Sequence, residues 1–238
     1  MAEKKLFDEY FNSVYARSNA LNGDSYERIS KDYHLEFGQF LPEDKDTPIL
    51  EIGCGGGHFL YYLKMRGFTN YLGIDMSESQ IGFCRENVTT NVECADADGF
   101  LRGKENIFGI IAANDVLEHI PKEQVITFLE TARRALKQEG FLLLKLPNMS
   151  NPFALDSRYR DFTHECGFTE KSIYQVLYVA GFRDIRVYPS RIHGTSFKAF
   201  LNRIAVSLLH AVIKKLYWHQ GFTAPELLSP RLIVAARK

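Results

Sequence analysis

The chain has 238 residues, 45% of them hydrophobic, and its 29 Lys plus Arg balance 29 Asp plus Glu. That length suits one decorated domain with a real core, and zero net charge excludes a global field drawing the protein to nucleic acid or an anionic membrane. Cys54, Cys84, Cys94 and Cys166 form no C-x-x-C pair, which excludes a thiolate zinc site, and no apolar leader or membrane-length run is present, so the sequence reads as soluble and cytoplasmic with reduced thiols.

Residues 1–41 read as two helices broken at Asn22, Gly23 and Asp24 and stopped by Pro42, a cap of residues 1–42 ahead of a main domain, 43–238. Beyond it, apolar runs bounded by turn residues alternate with helical spacing, the pattern of a sheet wound with crossover helices. Strands are expected at 49–52, 71–74, 92–95, 107–113 and 141–146. Most are near-continuously apolar, as strands buried on both faces are. Val125, Ile126, Leu129, Ala132 and Leu136 share helical spacing across 122–137, after Pro121 and before Gly140. A helix over 170–180 leads through Gly181 into a strand at 183–187, and 231–236 supplies the last strand. Between those strands, 197–218 reads as a helical insertion with Phe197, Leu201, Ile204, Leu208 and Val212 on one face and Arg203, Ser207, His210 and Lys214 on another. It is too charged to span a bilayer. It covers an acceptor site, forms a dimer contact or lies on a membrane, and burial within the subunit or a dimer is the preferred reading.

The stretch ILEIGCGGGHFL reads as strand, tight turn, helix, with glycines baring the main chain and a helix start offering free N–H groups. His58 stands where the dinucleotide fingerprint needs glycine, and the Lys-Ser/Thr of a P-loop is missing. Glu51 would repel phosphates there but suits a cationic or amine-bearing ligand. Asp75, ending the next strand, lies where a carboxylate can accept from both hydroxyls of a ribose. Asp96, closing the third strand, can accept from an adenine amino group. Adenosine without phosphate and with a positive tail describes S-adenosylmethionine. A purely structural role, Glu51 capping a turn and Asp75 an Asx-turn, is the alternative.

In order and spacing, EIGCGGG, GIDMS, CADADGFL and NDVLEHIP resemble the successive motifs of the class I S-adenosylmethionine-dependent methyltransferases, over roughly residues 48–188. The resemblance implies a Rossmann-like, mostly parallel seven-stranded sheet with helices on both faces and an antiparallel last strand, here 231–236. It also implies that Gly53, Gly55 and Gly57 approach the methionine portion of the cofactor and Asp75 the ribose. Met76 would meet a face of the adenine, Asp96 and Ala97 its edge, and Asn114 the region of the methyl group.

The protein must then align an acceptor and, for a hydroxyl, remove its proton. Asp115, Glu118 and His119 resemble the metal-binding acid-x-x-Glu-His of ubiquinone-pathway and small-RNA 2′-O-methyltransferases, with Asp where those families have Glu. A magnesium ion held by Asp115, Glu118, His119 and His164 is one reading; structural hydrogen bonding without metal is the favoured one. The long polar stretch after the fifth strand reads as a binding loop. Its RDFTHECGFTEKS resembles methyltransferases of cell-surface polysaccharide and lipid-linked sugar pathways. His164 or His119 is the candidate base, and Arg158, Tyr159 and Arg160 suit a sugar or phosphate-bearing acceptor. The expected reaction is O-methylation of a sugar or small hydroxylated metabolite by a monomer or homodimer, with peripheral membrane contact as one option. Metal-assisted methylation of a phenol or an RNA 2′-hydroxyl and a non-catalytic cofactor-binding protein are the rivals, and the absence of a basic stripe argues against nucleic acid.

Overall fold

The computed structural model describes residues 21–190 and 196–238, so the first of the two expected cap helices lies outside the described residues. The second is α1, Gly23–Phe37, and Asn22 is its N-cap: Asn22 and Ser25 satisfy each other's backbone N–H in a capping box. The Asn-Gly-Asp break is thus a helix start.

Seven strands follow: β1 Ile49–Ile52, β2 Tyr71–Asp75, β3 Val92–Cys94, β4 Phe108–Asn114, β5 Leu136–Pro147, β6 Arg183–Pro189 and β7 Arg231–Arg237. Between them lie α2 His58–Met65, α3 Glu78–Asn87, α4 Ala97–Leu101, α5 Val125–Ala135, α6 Ala154–Arg160, α7 Glu170–Val179 and α8 Phe197–His219. The sheet order is β3-β2-β1-β4-β5-β7-β6, with β7 antiparallel to both neighbours and the remaining pairs parallel. Strand order reverses between β1 and β4, the position at which open α/β sheets bind ligands beyond their carboxyl ends. Parallel register places Ile52 beside Ile74 and Ala113, so Gly53, Asp75 and Asn114 leave the sheet at one edge.

The apolar runs explain the layers. Leu50, Ile52, Ile111, Leu142, Leu144 and Val234 point into one core beneath α5 and α7, while Ile49, Ile110, Leu143 and Ile233 point into the other beneath α1 and α2. Phe37, Phe59, Leu60 and Leu63 are fully buried where α1 crosses α2. Burying one such side chain stabilises the fold by about 1.5–3 kcal/mol, so the cap is part of the second core.

Two expectations are corrected. The helix expected to Lys137 ends at Ala135, because Leu136, fully buried, turns extended and pairs with Phe108 as the first residue of β5. Leu136 continues the helical spacing of α5, so periodicity alone carries the helix too far. The insertion helix is not buried within the subunit: Ala199 is its only buried residue.

Candidate active site

A cavity of about 1000 Å³ opens at the switch between β1 and β4. One wall is the glycine turn. Gly53, Gly55 and Gly57 all have positive φ, 67°, 52° and 81°, a conformation that costs an ordinary side chain about 1 kcal/mol or more. A Cβ on Gly53 would come within 2.4 Å of Val116 Cγ2. Gly57 differs from the expectation. It does not line the cavity, and its bare Cα instead admits Cys84 Sγ, which a Cβ would meet at 2.5 Å. Its role is packing α2 against α3.

The turn is held by Asp75, whose Oδ2 accepts from Gly55 N at 2.9 Å and Oδ1 from Ser77 N at 2.9 Å. Each carboxylate oxygen keeps a second lone pair for a ligand hydroxyl. Burial raises the Asp75 pKa, and the two amide donors oppose that rise. Glu51 is buried behind the turn, and its Oε1 accepts from Asn114 Nδ2 at 3.2 Å, whereas Glu51 Oε2 and Asn114 Oδ1 have no hydrogen-bond partner. Burial pushes the Glu51 carboxyl well above its usual range, with the Asn114 amide pulling the other way. Unmatched buried oxygens are costly, and a ligand that donates hydrogen bonds, such as an ammonium, would satisfy them. Met76, Asp96 and Ala97 line the same cavity, and Asp96 also caps α4 through Gly99 N.

The far end is built by the segment after β5. Glu165 N and Cys166 N both donate to Glu118 O, and this tether brings His164 beside His119 with ring centroids 4.8 Å apart. Thr163 Oγ1 donates to Asp161 Oδ1 at 2.6 Å and lies 2.8 Å from His119 Nδ1. A hydroxyl has one proton to give. With that proton on Asp161, Nδ1 of His119 must be the donor to Thr163, which puts the basic lone pair at Nε2. Burial, then the neighbouring His164, lower the His119 pKa below the usual imidazole value, so the ring is neutral at neutral pH.

Arg158 and Tyr159 are not in the cavity wall; Arg160 is. Arg158 donates to the carbonyls of His164 and Glu165 and so holds the segment in place, and Tyr159 is 75% exposed. Asp115 is also placed differently from the expected quartet. It sits at φ 55°, and its carboxylate pairs with Arg231 of β7. Burial alone would raise its pKa, but the guanidinium holds it below the usual carboxylate range. Glu118, His119 and His164 do converge, with ligand atoms within 4.8 Å of one another. Two imidazoles and one carboxylate, with the second acid engaged by arginine, do not fit magnesium, which prefers oxygen donors.

Arg28, Asp32 and Tyr33 of α1, Lys145 of β5 and Arg231 also line the cavity, none of them found by sequence reasoning. The helical spacing of Ile29 and Tyr33 was a usable signal for a wall facing the sheet; Lys145 and Arg231 carried none.

A family profile described as a methyltransferase domain matches residues 24–187. Among curated proteins, a ubiquinone biosynthesis O-methyltransferase of Neisseria meningitidis is 24% identical over 110 residues, 44% of this chain and 45% of that protein. The chain thus matches less than half the length of that relative. A methyltransferase from Archaeoglobus fulgidus, described as dependent on S-adenosylmethionine, superposes with a TM-score of 0.67 at 21% identity over 98% of this chain and 99% of that one. Phosphoethanolamine N-methyltransferase 2 of Haemonchus contortus, solved with S-adenosyl-L-methionine, superposes at 0.63 with 15% identity, covering 98% of this chain and 60% of that one. With the profile spanning most of the chain and the strand order above, this protein belongs to the methyltransferase domain family and has the class I, S-adenosylmethionine-dependent methyltransferase fold.

Proposed function

We propose that the protein methylates a hydroxyl of a sugar or small hydroxylated metabolite, with His119 as the base. When bound, S-adenosylmethionine supplies an electrophilic methyl group on a positively charged sulfur. The chain's own residues supply the rest. Glu51 and Asn114 present their unmatched oxygens to the ligand's ammonium, and Asp75 accepts from its ribose hydroxyls. Gly53 and Gly55 let it lie against the main chain, and Met76, Asp96 and Ala97 bound the base. His119 Nε2 receives the proton that the acceptor hydroxyl loses, Thr163 and Asp161 keep that nitrogen unprotonated, and His164 and Arg160 face the acceptor.

The observation that carries this reading is the hydrogen-bonded row His119, Thr163 and Asp161, of which His119 and Asp161 line the same cavity as the glycine turn. An amine acceptor would need no comparably oriented base in its neutral form. The test is to supply methyl-labelled S-adenosylmethionine to fractionated cell extract, with and without chelator. Label in a glycolipid, polysaccharide or small hydroxylated fraction, insensitive to chelator and lost in His119→Ala, is expected. Label unaffected by His119→Ala and His164→Ala would overturn the base assignment, and label in RNA or a phenol that disappears with chelator would overturn the acceptor class.

A further inference from the structure

We propose that α8 is a membrane-docking helix whose outward face lies in the interface of a bilayer bearing anionic headgroups. The helix has 23 residues and so extends about 35 Å, yet only Ala199 is buried, with Val206, His210, Ile213 and Tyr217 half-buried on the same side. The opposite side carries Phe197, Leu201, Ile204, Leu208, Val212 and Trp218, between 43% and 74% exposed. A monomeric soluble protein rarely leaves so continuous an apolar face uncovered. No described helix is long and apolar enough to cross a membrane, so the face is suited to lying in the interface plane.

Charge selects the occupant. Within Phe197–His219 the sequence contains no Asp or Glu, while Lys198, Arg203, Lys214 and Lys215 are basic. Packing this face on a second copy would bring Lys198, Lys214 and Lys215 of two copies together, and neither helix carries an acid to set against them. An anionic lipid surface neutralises them and accepts the apolar side chains at the same time. Aromatic residues stand at both ends, Phe197 and Phe200 at one, Trp218 and Phe222 at the other, where amphipathic rings favour the headgroup level.

The helix is also tied to the acceptor end of the cavity. Lys214 Nζ donates to Glu226 O, and the carbonyls of Leu227, Leu228 and Ser229 accept from Asn148 and Asn151, just before α6. On and beside α6, Phe153, Leu155, Tyr159 and Phe162 are 70% or more exposed, a second apolar set joined to the same segment.

Trp218 is the only tryptophan, so its fluorescence reports on this face alone. The full chain is titrated with phosphatidylcholine vesicles, with and without phosphatidylglycerol, following emission and co-sedimentation. A blue shift and co-sedimentation with the anionic vesicles are expected. Partitioning should weaken about tenfold or more in Leu208→Glu and in Lys214→Glu/Lys215→Glu. These side chains are exposed, so thermal melts matching the parent confirm that the variants fold. No shift with either vesicle overturns the proposal. So does emission already blue in buffer and unmoved by lipid, which places residues 1–20 on the face if independent of concentration and a second copy there if it follows a sedimenting dimer.

Discussion

If Glu51 meets the cofactor's ammonium as proposed, this one residue ties cofactor affinity to pH. Its pKa is raised chiefly by burial, and an incoming ammonium would favour the charged carboxylate. Affinity for S-adenosylmethionine is therefore expected to rise with pH until Glu51 is ionised without ligand. Glu51→Gln should bind more weakly and lose that dependence, as titration calorimetry at several pH values would show. His119 gives the second residue-scale prediction. His119→Ala should lower kcat by about 10²–10⁴, the span of general-base catalysis, while cofactor affinity stays near the parent's. Thr163→Val keeps the shape but removes the hydroxyl that accepts from Nδ1. It should lower kcat, and because the lost acceptor also stabilised the imidazolium, the acid limb of the pH–kcat profile should move to lower pH. A limb that stays in place would mean that Thr163 only pins the loop.

At the scale of elements, the glycine turn is a junction among three helices. Tyr26 of α1 donates to Gly56 O at 2.6 Å and stacks on His58 of α2, so the cap grips the turn's backbone. Tyr26→Phe is expected to cost about 1 kcal/mol, the net worth of one hydrogen bond, and to weaken cofactor binding by loosening the turn. Gly57→Ala acts through α3 instead. With φ 81° and Cys84 Sγ 2.5 Å from the new Cβ, it should cost about 1–3 kcal/mol, seen as a drop in Tm, and reach the cofactor site only through the shifted helix. The segment after β5 likewise works as a unit: Arg158 from α6 and Glu118 O from the β4 side both hold its backbone. Arg158→Ala is expected to lower kcat by displacing His164, leaving cofactor affinity intact.

For the whole molecule, one acid of the site costs stability when it is ionised. Glu118 is buried, one of its oxygens has no partner, and burial, then Asp115, raise its pKa well above the usual value. A raised folded-state pKa means that the native state binds the proton more tightly than the unfolded chain does. Its contribution is full below the unfolded value of about 4.3 and is lost as pH rises through the folded value. Glu118→Gln removes the charge and keeps the shape, so its Tm advantage over the parent should be absent at acid pH and grow toward alkaline pH. A constant difference would refute this reading. Charge is distributed unevenly at this scale as well. Zero net charge conceals a basic stretch around α8 balanced by acid elsewhere, so a global argument against an anionic surface does not reach the local one.

Most of the sheet was legible because parallel strands buried on both faces read as near-continuous apolar runs, and β1, β2 and β4 do apart from Glu51, Asp75 and Asn114. The glycine turn, Glu51 within β1 and Asp75 at the end of β2 were legible because backbone approach and charge are local properties of the chain. Leu136 was misread because a helical and an extended residue can carry the same apolar side chain, and its pairing with Phe108 is a tertiary fact. Sequence alone thus determined the alternation of strands and helices and the glycine turn with its neighbouring acids, and the family resemblance implied the sheet. Only the tertiary structure decided that Asp115 answers to Arg231, 116 residues away, that Thr163 sets the tautomer of His119, and that α8 stands outward. These depend on which distant backbone each segment is tied to, and long-range hydrogen bonds and ion pairs leave no periodicity in the chain that forms them.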